Sequence, residues 1–279
     1  MLPSIDMISI RNVDLPTEAA EQLIVWQREI DDLPNYAERV AAAESNFPAR
    51  KSRNNKTFKV VRTVLASMCS GVVRCGYCED SAADEVEHIR PKSLYPEECF
   101  VWENYLYACG PCNGPKNNKF AVLNGSPPTL FTVARVPKAP CVVPRAGRHA
   151  LIDPRREDPL EFMELDLLGT FFFIPIEPVG SESYVRAKYT IDVLRLNIRD
   201  SLVEARRIAF TSYQALLVNY VSDRESGKAK TQLLRIEHAV RRSSHRSVWK
   251  EMQRQHMASV LPLQQLRDLF DKAPEALKW

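Results

Sequence analysis

Apolar positions recur at helical spacing in three stretches near the start of the chain. TEAAEQLIVWQREI opens on Thr17, carries acids in its first turn, and places Leu23, Ile24, Trp26 and Ile30 at roughly helical intervals, which predicts an amphipathic helix. YAERVAAAESNF, after Pro34, predicts a second helix. KTFKVVRTVLASM predicts a third, with Val60, Val61, Val64, Leu65 and Met68 on one face and Gly71 ending it. Over residues 72–120 cysteine, proline, asparagine and glycine break the pattern into short apolar runs such as YLYA. A Pro-rich crossing at 126–144 leads to LIDPRREDPLEFMELDLLGTFFFIPI, which predicts a loop and two short strands turning at Gly169 and Thr170. Beyond Ser183 the spacing predicts five more helices, in YVRAKYTIDVLRL, RDSLVEARRIAFTSYQALLVNYVS, AKTQLLRIEHAVRR, HRSVWKEMQRQHMA and PLQQLRDLFDKA. No fixed-period repeat and no low-complexity tract appears.

The expected fold class is therefore α+β: a mostly helical protein around a small core built about a site. Its expected parts are an N-terminal helical region at 1–70, the core at 71–125, a linker with short strands at 126–182 and a C-terminal helical region at 183–279. Hydrophobic residues at 45% and charged residues at 26% are ordinary for a globular chain, so disorder is not the default. A formal charge of +3 permits a polyanionic partner without requiring one. The longest apolar patch, LGTFFFIPI, is far shorter than a bilayer span and is broken by Pro175, so no membrane helix is expected. MLPSIDMISIRNVDLP lacks the basic region and apolar run of a signal peptide, which makes the cytoplasm the expected location. In that compartment seven cysteines argue for metal ligation rather than a disulfide framework.

Cys75 and Cys78 are matched by Cys109 and Cys112, two CxxC pairs about thirty residues apart. Each CxxC lets a tight turn aim two sulfurs at one ion, and four thiolates suit tetrahedral zinc. Joining the turns closes a loop with too few apolar residues to hold itself. A zinc ion bound by four thiolates has no open position for water, so its role is structural. The closed loop contains Glu87 and His88, then Trp102, Glu103 and Asn104, and the second CxxC runs into Asn113, Gly114, Pro115 and Lys116. Glu87 and Asn113 offer oxygen donors of the kind magnesium or manganese prefers, and His88 is a base the zinc leaves unused.

This constellation resembles the HNH endonucleases, whose ββα-metal motif places a carboxylate and His on a strand, an Asn in a middle loop and a final His or Asn on a short helix. Two CxxC knuckles often brace it. The matching positions are Glu87 with His88, Asn104 in WENYLYAC, and Asn113 in CNGPK, and the likeness covers about residues 72–120. It implies that His88 is the general base, that Glu87 and Asn113 hold one Mg²⁺ or Mn²⁺, that Asn104 orients the imidazole, and that Lys116 faces a phosphate or developing charge. Glu in place of the commoner Asp, and Asn in place of the final His, leave the preferred ion open. The order of CGYCE, EHIRPKS, WENYLYAC, LIDPRREDP, LRLN and EARR further resembles the PtuB-like nuclease subunit of Septu-type and retron-linked antiphage systems. That likeness implies an effector acting on nucleic acid, with DNA the expected substrate, beside an ATPase partner subunit.

Plainer readings stand beside these. A non-catalytic zinc module recognising nucleic acid or protein, with Glu87 and His88 merely structural, is the alternative from another class, and a nuclease directed at RNA is a third. His149, His238, His245 and His256 pair with nothing at ligand spacing and read as surface or core residues. Cys69, Cys99 and Cys141 read as free thiols, with Cys99 a substitute ligand should the pairing differ. Arg50, Lys51, Arg53, Lys56, Lys59 and Arg62 could meet backbone phosphates or form a solvated helix face. The basic run containing Arg241, Arg242, Arg246 and Lys250 has interleaved acids and reads as an exposed or partner-facing helix. Trp102 and Tyr105 read as packing residues.

Overall fold

The computed structural model describes residues 10, 12–69, 71–80, 82–135 and 140–279. The reading of the N-terminal segment falls on residues 1–9 and 11, and part of the Pro-rich crossing on 136–139; both lie outside the described residues.

Thr17–Asp31 forms α1, Tyr36–Arg50 α2 and Lys56–Ser67 α3. The Asn35 side chain accepts from the Glu38 N–H at 3.0 Å and that of Asn55 from the Phe58 N–H at 3.1 Å, serving donors that the first turn of a helix leaves free. The apolar faces of the three helices meet in one core through Leu23, Ile30, Phe47, Phe58, Val61 and Leu65.

Glu85–His88 forms β1 and Tyr105–Ala108 forms β2, paired antiparallel with Glu87 opposite Leu106 and His88 opposite Tyr105. Gly110–Lys116 follows as the short helix α4. Side chains alternate across a strand, so this pair has two different faces. Val86, Tyr105 and Tyr107 pack into the core of α1–α3, while Leu106 and Ala108 belong to a second, larger core that runs into the C-terminal half.

Phe120–Asn124 forms β3, Thr129–Val133 β4 and Arg148–His149 β5, in a sheet of order β4-β3-β5. The β3–β4 hairpin turns at residues 125–128, where the sequence reading passes from core to linker. Asn124–Gly125 between two apolar runs is a hairpin signal, and Gly125 adopts φ +84°, which favours glycine. Met163–Leu165 (β6) pairs with Phe173–Pro175 (β7), the expected two strands around Gly169 and Thr170. Asp166 organises their turn by accepting from the backbone N–H groups of Gly169 and Thr170 at 3.0 and 2.7 Å.

Five helices complete the chain: α5 (Glu182–Val193), α6 (Asp200–Glu225), α7 (Lys230–Arg242), α8 (Arg246–Met257) and α9 (Gln264–Lys272). They enclose the fully buried Trp249, against which Tyr213, Phe270 and Trp279 pack. The described residues thus hold nine α-helices and three small sheets, an α+β protein dominated by helix. None of these helices is long and apolar enough to cross a membrane.

The C-terminal helices sit on the cysteine-bearing loop. Glu79, directly after Cys78, accepts from the Ser247 N–H at 3.2 Å, serving a free donor at the start of α8. Gly71 lies so close to the end of α7 that a Cβ there would meet the Arg242 carbonyl oxygen at 2.6 Å.

One buried cation ties the remaining pieces together. Arg155 is 4% exposed. Its Nη1 donates to the carbonyls of Trp102 and Tyr105, its Nε donates to Asn12 Oδ1 at 2.9 Å, and its guanidinium lies over the Trp102 ring. Arg155→Met is expected to lower the unfolding free energy by about 1–3 kcal/mol, because it takes the Nη1 donor from the buried Tyr105 carbonyl, while the Trp102 carbonyl keeps the Tyr105 N–H. Urea denaturation measures this; a loss below about 1 kcal/mol would mean that other donors replace the guanidinium.

Candidate functional site

Cys75 and Cys78 lie in the turn before β1, and Cys109 and Cys112 lie at the junction of β2 with α4. All four are buried, and their sulfurs lie within 4.8 Å of one another. The Cys78 and Cys109 sulfurs are 3.7 Å apart, close to the ~3.8 Å edge of a tetrahedron with ~2.3 Å zinc–sulfur arms. The donor set and its spacing fit a metal ion such as zinc. Around this cluster the Tyr77 N–H points to Cys75 Sγ at 3.4 Å, and Arg199 Nη2 donates to Cys112 Sγ at 3.3 Å. Arg199 precedes α6, so it links the cysteine cluster to the C-terminal helices. Cys99 is elsewhere: its thiol points to the Ala43 carbonyl, and burial pushes it up to about 12.

β1 presents Glu85 and Glu87 on the face towards α4. The Glu87 carboxylate is 7% exposed and accepts from Lys116 Nζ at 2.5 Å; the same ammonium donates to the His88 carbonyl at 2.7 Å. Burial pushes the Glu87 carboxyl up, with Lys116 pulling it down. Lys116 was expected to face a phosphate. It is fully buried instead, because β1 supplies two oxygens that its ammonium satisfies. Asn113 Nδ2 donates to the Glu85 carboxylate rather than meeting Glu87.

His88 turns to the opposite face, as its neighbour position on the strand requires. Its ring packs edge-on against Phe47 at 4.3 Å and Tyr105 at 5.2 Å. Nε2 lies 2.8 Å from the Cys99 carbonyl, which can only accept, so that nitrogen carries the proton and Nδ1 holds the lone pair. Burial first, and then Lys92, lower the imidazole to about 3. Asn104, expected to orient this ring, does not touch it. Its amide accepts from the Arg90 N–H at 2.8 Å and donates to the carbonyls of Arg90 and Glu98, fastening the loop whose next residue, Cys99, holds the ring.

The structure thus joins Glu87 to Lys116 and Asn113 to Glu85, and holds His88 at the end of β1 and Asn104 just before β2, where the Ile89 N–H donates to the Asn104 carbonyl. Glu85 escaped the sequence reading, although period-two alternation from Glu87 would have found it. Lys92 and Phe47 escaped it too. Lys51 and Lys92 both lie over the Phe47 ring, at 5.8 and 5.3 Å from its centroid, and put two cations beside His88. Of the other basic residues ahead of the knuckle, Arg50 pairs with Glu29 and Arg62 bonds the carbonyls of Lys51 and Ser52.

Three other histidines have partners of their own. His245 is buried with Nε2 3.3 Å from Asp80, and His256 stands 3.4 Å from Asp271. His149 borders a cavity of about 460 Å³ that Arg90, Asp153, Arg156, Glu157 and Arg186 also line.

No protein-family model matches this chain, and no curated protein matches it in sequence.

Two expectations follow. Cys109→Ser should release zinc and loosen residues 75–112, read as lost metal content and a lower melting temperature; full zinc content in the variant would exclude the four-sulfur site. Burial, then Arg90, Arg186 and Arg156, lower His149 to about 4, against a weaker opposite pull from Glu157. Its folded value lies below the unfolded one near 6.5, so its neutral form favours folding above pH ~6.5 and that contribution fades as pH falls to about 4. His149→Gln should therefore flatten the stability–pH curve between those values, and an unchanged slope in acid-titrated melts would refute it.

Proposed function

We propose that this chain is a zinc-braced, metal-dependent endonuclease of the HNH type that hydrolyses phosphodiester bonds, with DNA as substrate. The observation that supports the reading is the order strand, strand, short helix, with the two strands between the halves of the cysteine cluster and the helix starting at the second half, Glu87 and His88 ending the first strand and Asn113 on the helix.

In this reading the cysteine cluster is scaffold, and chemistry belongs to the groups it aligns. Glu87 and Asn113 are the oxygen donors for a divalent ion, Mg²⁺ or Mn²⁺. Their donor chemistry fits, and the Lys116 ammonium already stands as a cation on Glu87. Such an ion, when bound, supplies charge stabilisation to the scissile phosphate and its leaving oxygen. His88 Nδ1 takes the proton from the attacking water, since Nε2–H is committed to Cys99. Cys99 and, through the loop backbone, Asn104 hold the imidazole in that tautomer. Lys51 and Lys92 draw the phosphate towards the base. Lys116 holds the Glu87 carboxylate and the His88 carbonyl together at the end of β1. The C-terminal helices are the surface for a partner, in keeping with the ATPase subunit that the resemblance implies.

One observation favours a second reading, a zinc module without catalysis: His88 is 5% exposed and ringed by aromatic side chains, and Glu87 is already neutralised by Lys116. Cleavage assays on plasmid DNA, single-stranded DNA and tRNA with Mg²⁺ or Mn²⁺ separate the readings. Wild type is expected to cut DNA, His88→Ala to lose about 10²–10⁴-fold in rate, and Glu87→Ala to lose activity while keeping its zinc. Cutting at full rate by His88→Ala would remove the base, absence of cutting by any form with its partner present would favour the module, and cutting of tRNA alone would redirect the substrate to RNA.

A further inference from the structure

Glu85 is the carboxylate that neither the motif nor the assigned roles use. It lies two residues before Glu87 on the same face of β1, and its carboxylate accepts from Asn113 Nδ2. A carboxylate accepts and does not donate, whereas an Asn amide has one donating and one accepting end. The pairing therefore decides how the amide is turned: the nitrogen faces Glu85, and Oδ1, the only atom of that side chain able to ligate a hard cation, faces away. Without Glu85 the amide is free to turn over and present its N–H₂ to the ion. Glu85 also brings a second negative charge to a face whose first carboxylate is offset by the Lys116 ammonium, leaving that group of three net negative.

We propose that Glu85 is a positioning residue for the divalent-ion site, setting Asn113 Oδ1 towards the cation; this rests on the reading of Glu87 and Asn113 as ion ligands. It acts through Asn113 and touches neither water nor phosphate. Outer partners of this kind typically contribute 10–100-fold in metal affinity.

The test is Mn²⁺ titration of the full zinc-loaded chain by electron paramagnetic resonance, for wild type, Glu85→Gln, Glu85→Ala and Glu87→Ala. Zinc content and melting temperature are recorded for each as checks of folding. Glu85→Ala is expected to weaken Mn²⁺ binding about 10–100-fold with zinc retained. Glu85→Gln, whose side-chain oxygen can still accept from Asn113, should stay within about fivefold of wild type despite its lost charge. Any cleavage lost by Glu85→Ala should return as Mn²⁺ is raised to saturation. Wild-type affinity in Glu85→Ala would overturn the proposal, and so would Glu85→Gln binding as weakly as Glu85→Ala, which would make Glu85 a charged ligand and not an orienter. Mn²⁺ binding that survives Glu87→Ala at full strength, or that is absent from wild type, would overturn the ion site itself and this inference with it; loss in Glu87→Ala with no change in Glu85→Ala would overturn only the inference.

Discussion

Four sulfurs converging within 4.8 Å set the geometry on which the rest of this protein depends. One pair precedes β1 and the other follows β2, so a metal held among them closes both ends of a two-stranded hairpin at once. A lone two-stranded hairpin is marginal in water. The clamp also sets where α4 starts, because Cys109 is its cap residue and Cys112 lies within it. Asn113 and Lys116 consequently face the strand that carries Glu85 and Glu87.

The clamped hairpin then divides the molecule. One face belongs to the aromatic core of α1–α3, the other to the core shared with the β3–β4–β5 sheet and the C-terminal helices. Glu87 and His88, though adjacent in the chain, lie on opposite faces and in different surroundings. The carboxylate meets an ammonium and an amide-bearing helix; the imidazole meets Phe47, Tyr105 and a carbonyl. Both are desolvated, which raises one acid and lowers the other, so their charge states are set by burial as much as by neighbours.

The helices beyond residue 182 are tied to the clamp directly. Arg199 donates to a cysteine sulfur, Glu79 serves the start of α8, and Gly71 lets the end of α7 approach without a Cβ in the way. These three short contacts fasten the cysteine cluster and its flanking turn to the C-terminal helices.

Local signals were enough for much of this. Apolar spacing marked the helices, since that signal acts within one or two turns, and CxxC spacing marked the cysteine cluster, since each pair is brought together by its own turn. The β3–β4 hairpin was hidden because a proline-rich turn was read as the start of a linker. What the tertiary structure alone decided is who meets whom: Lys116 with Glu87, Asn113 with Glu85, His88 with Cys99, and Asn104 with the loop rather than the ring. Those pairings depend on strand register, on which face of β1 looks towards α4, and on burial, and none of these is a property of neighbouring letters. Residue types and their order fixed the available chemistry, while desolvation and through-space partners determined the state in which each group is held.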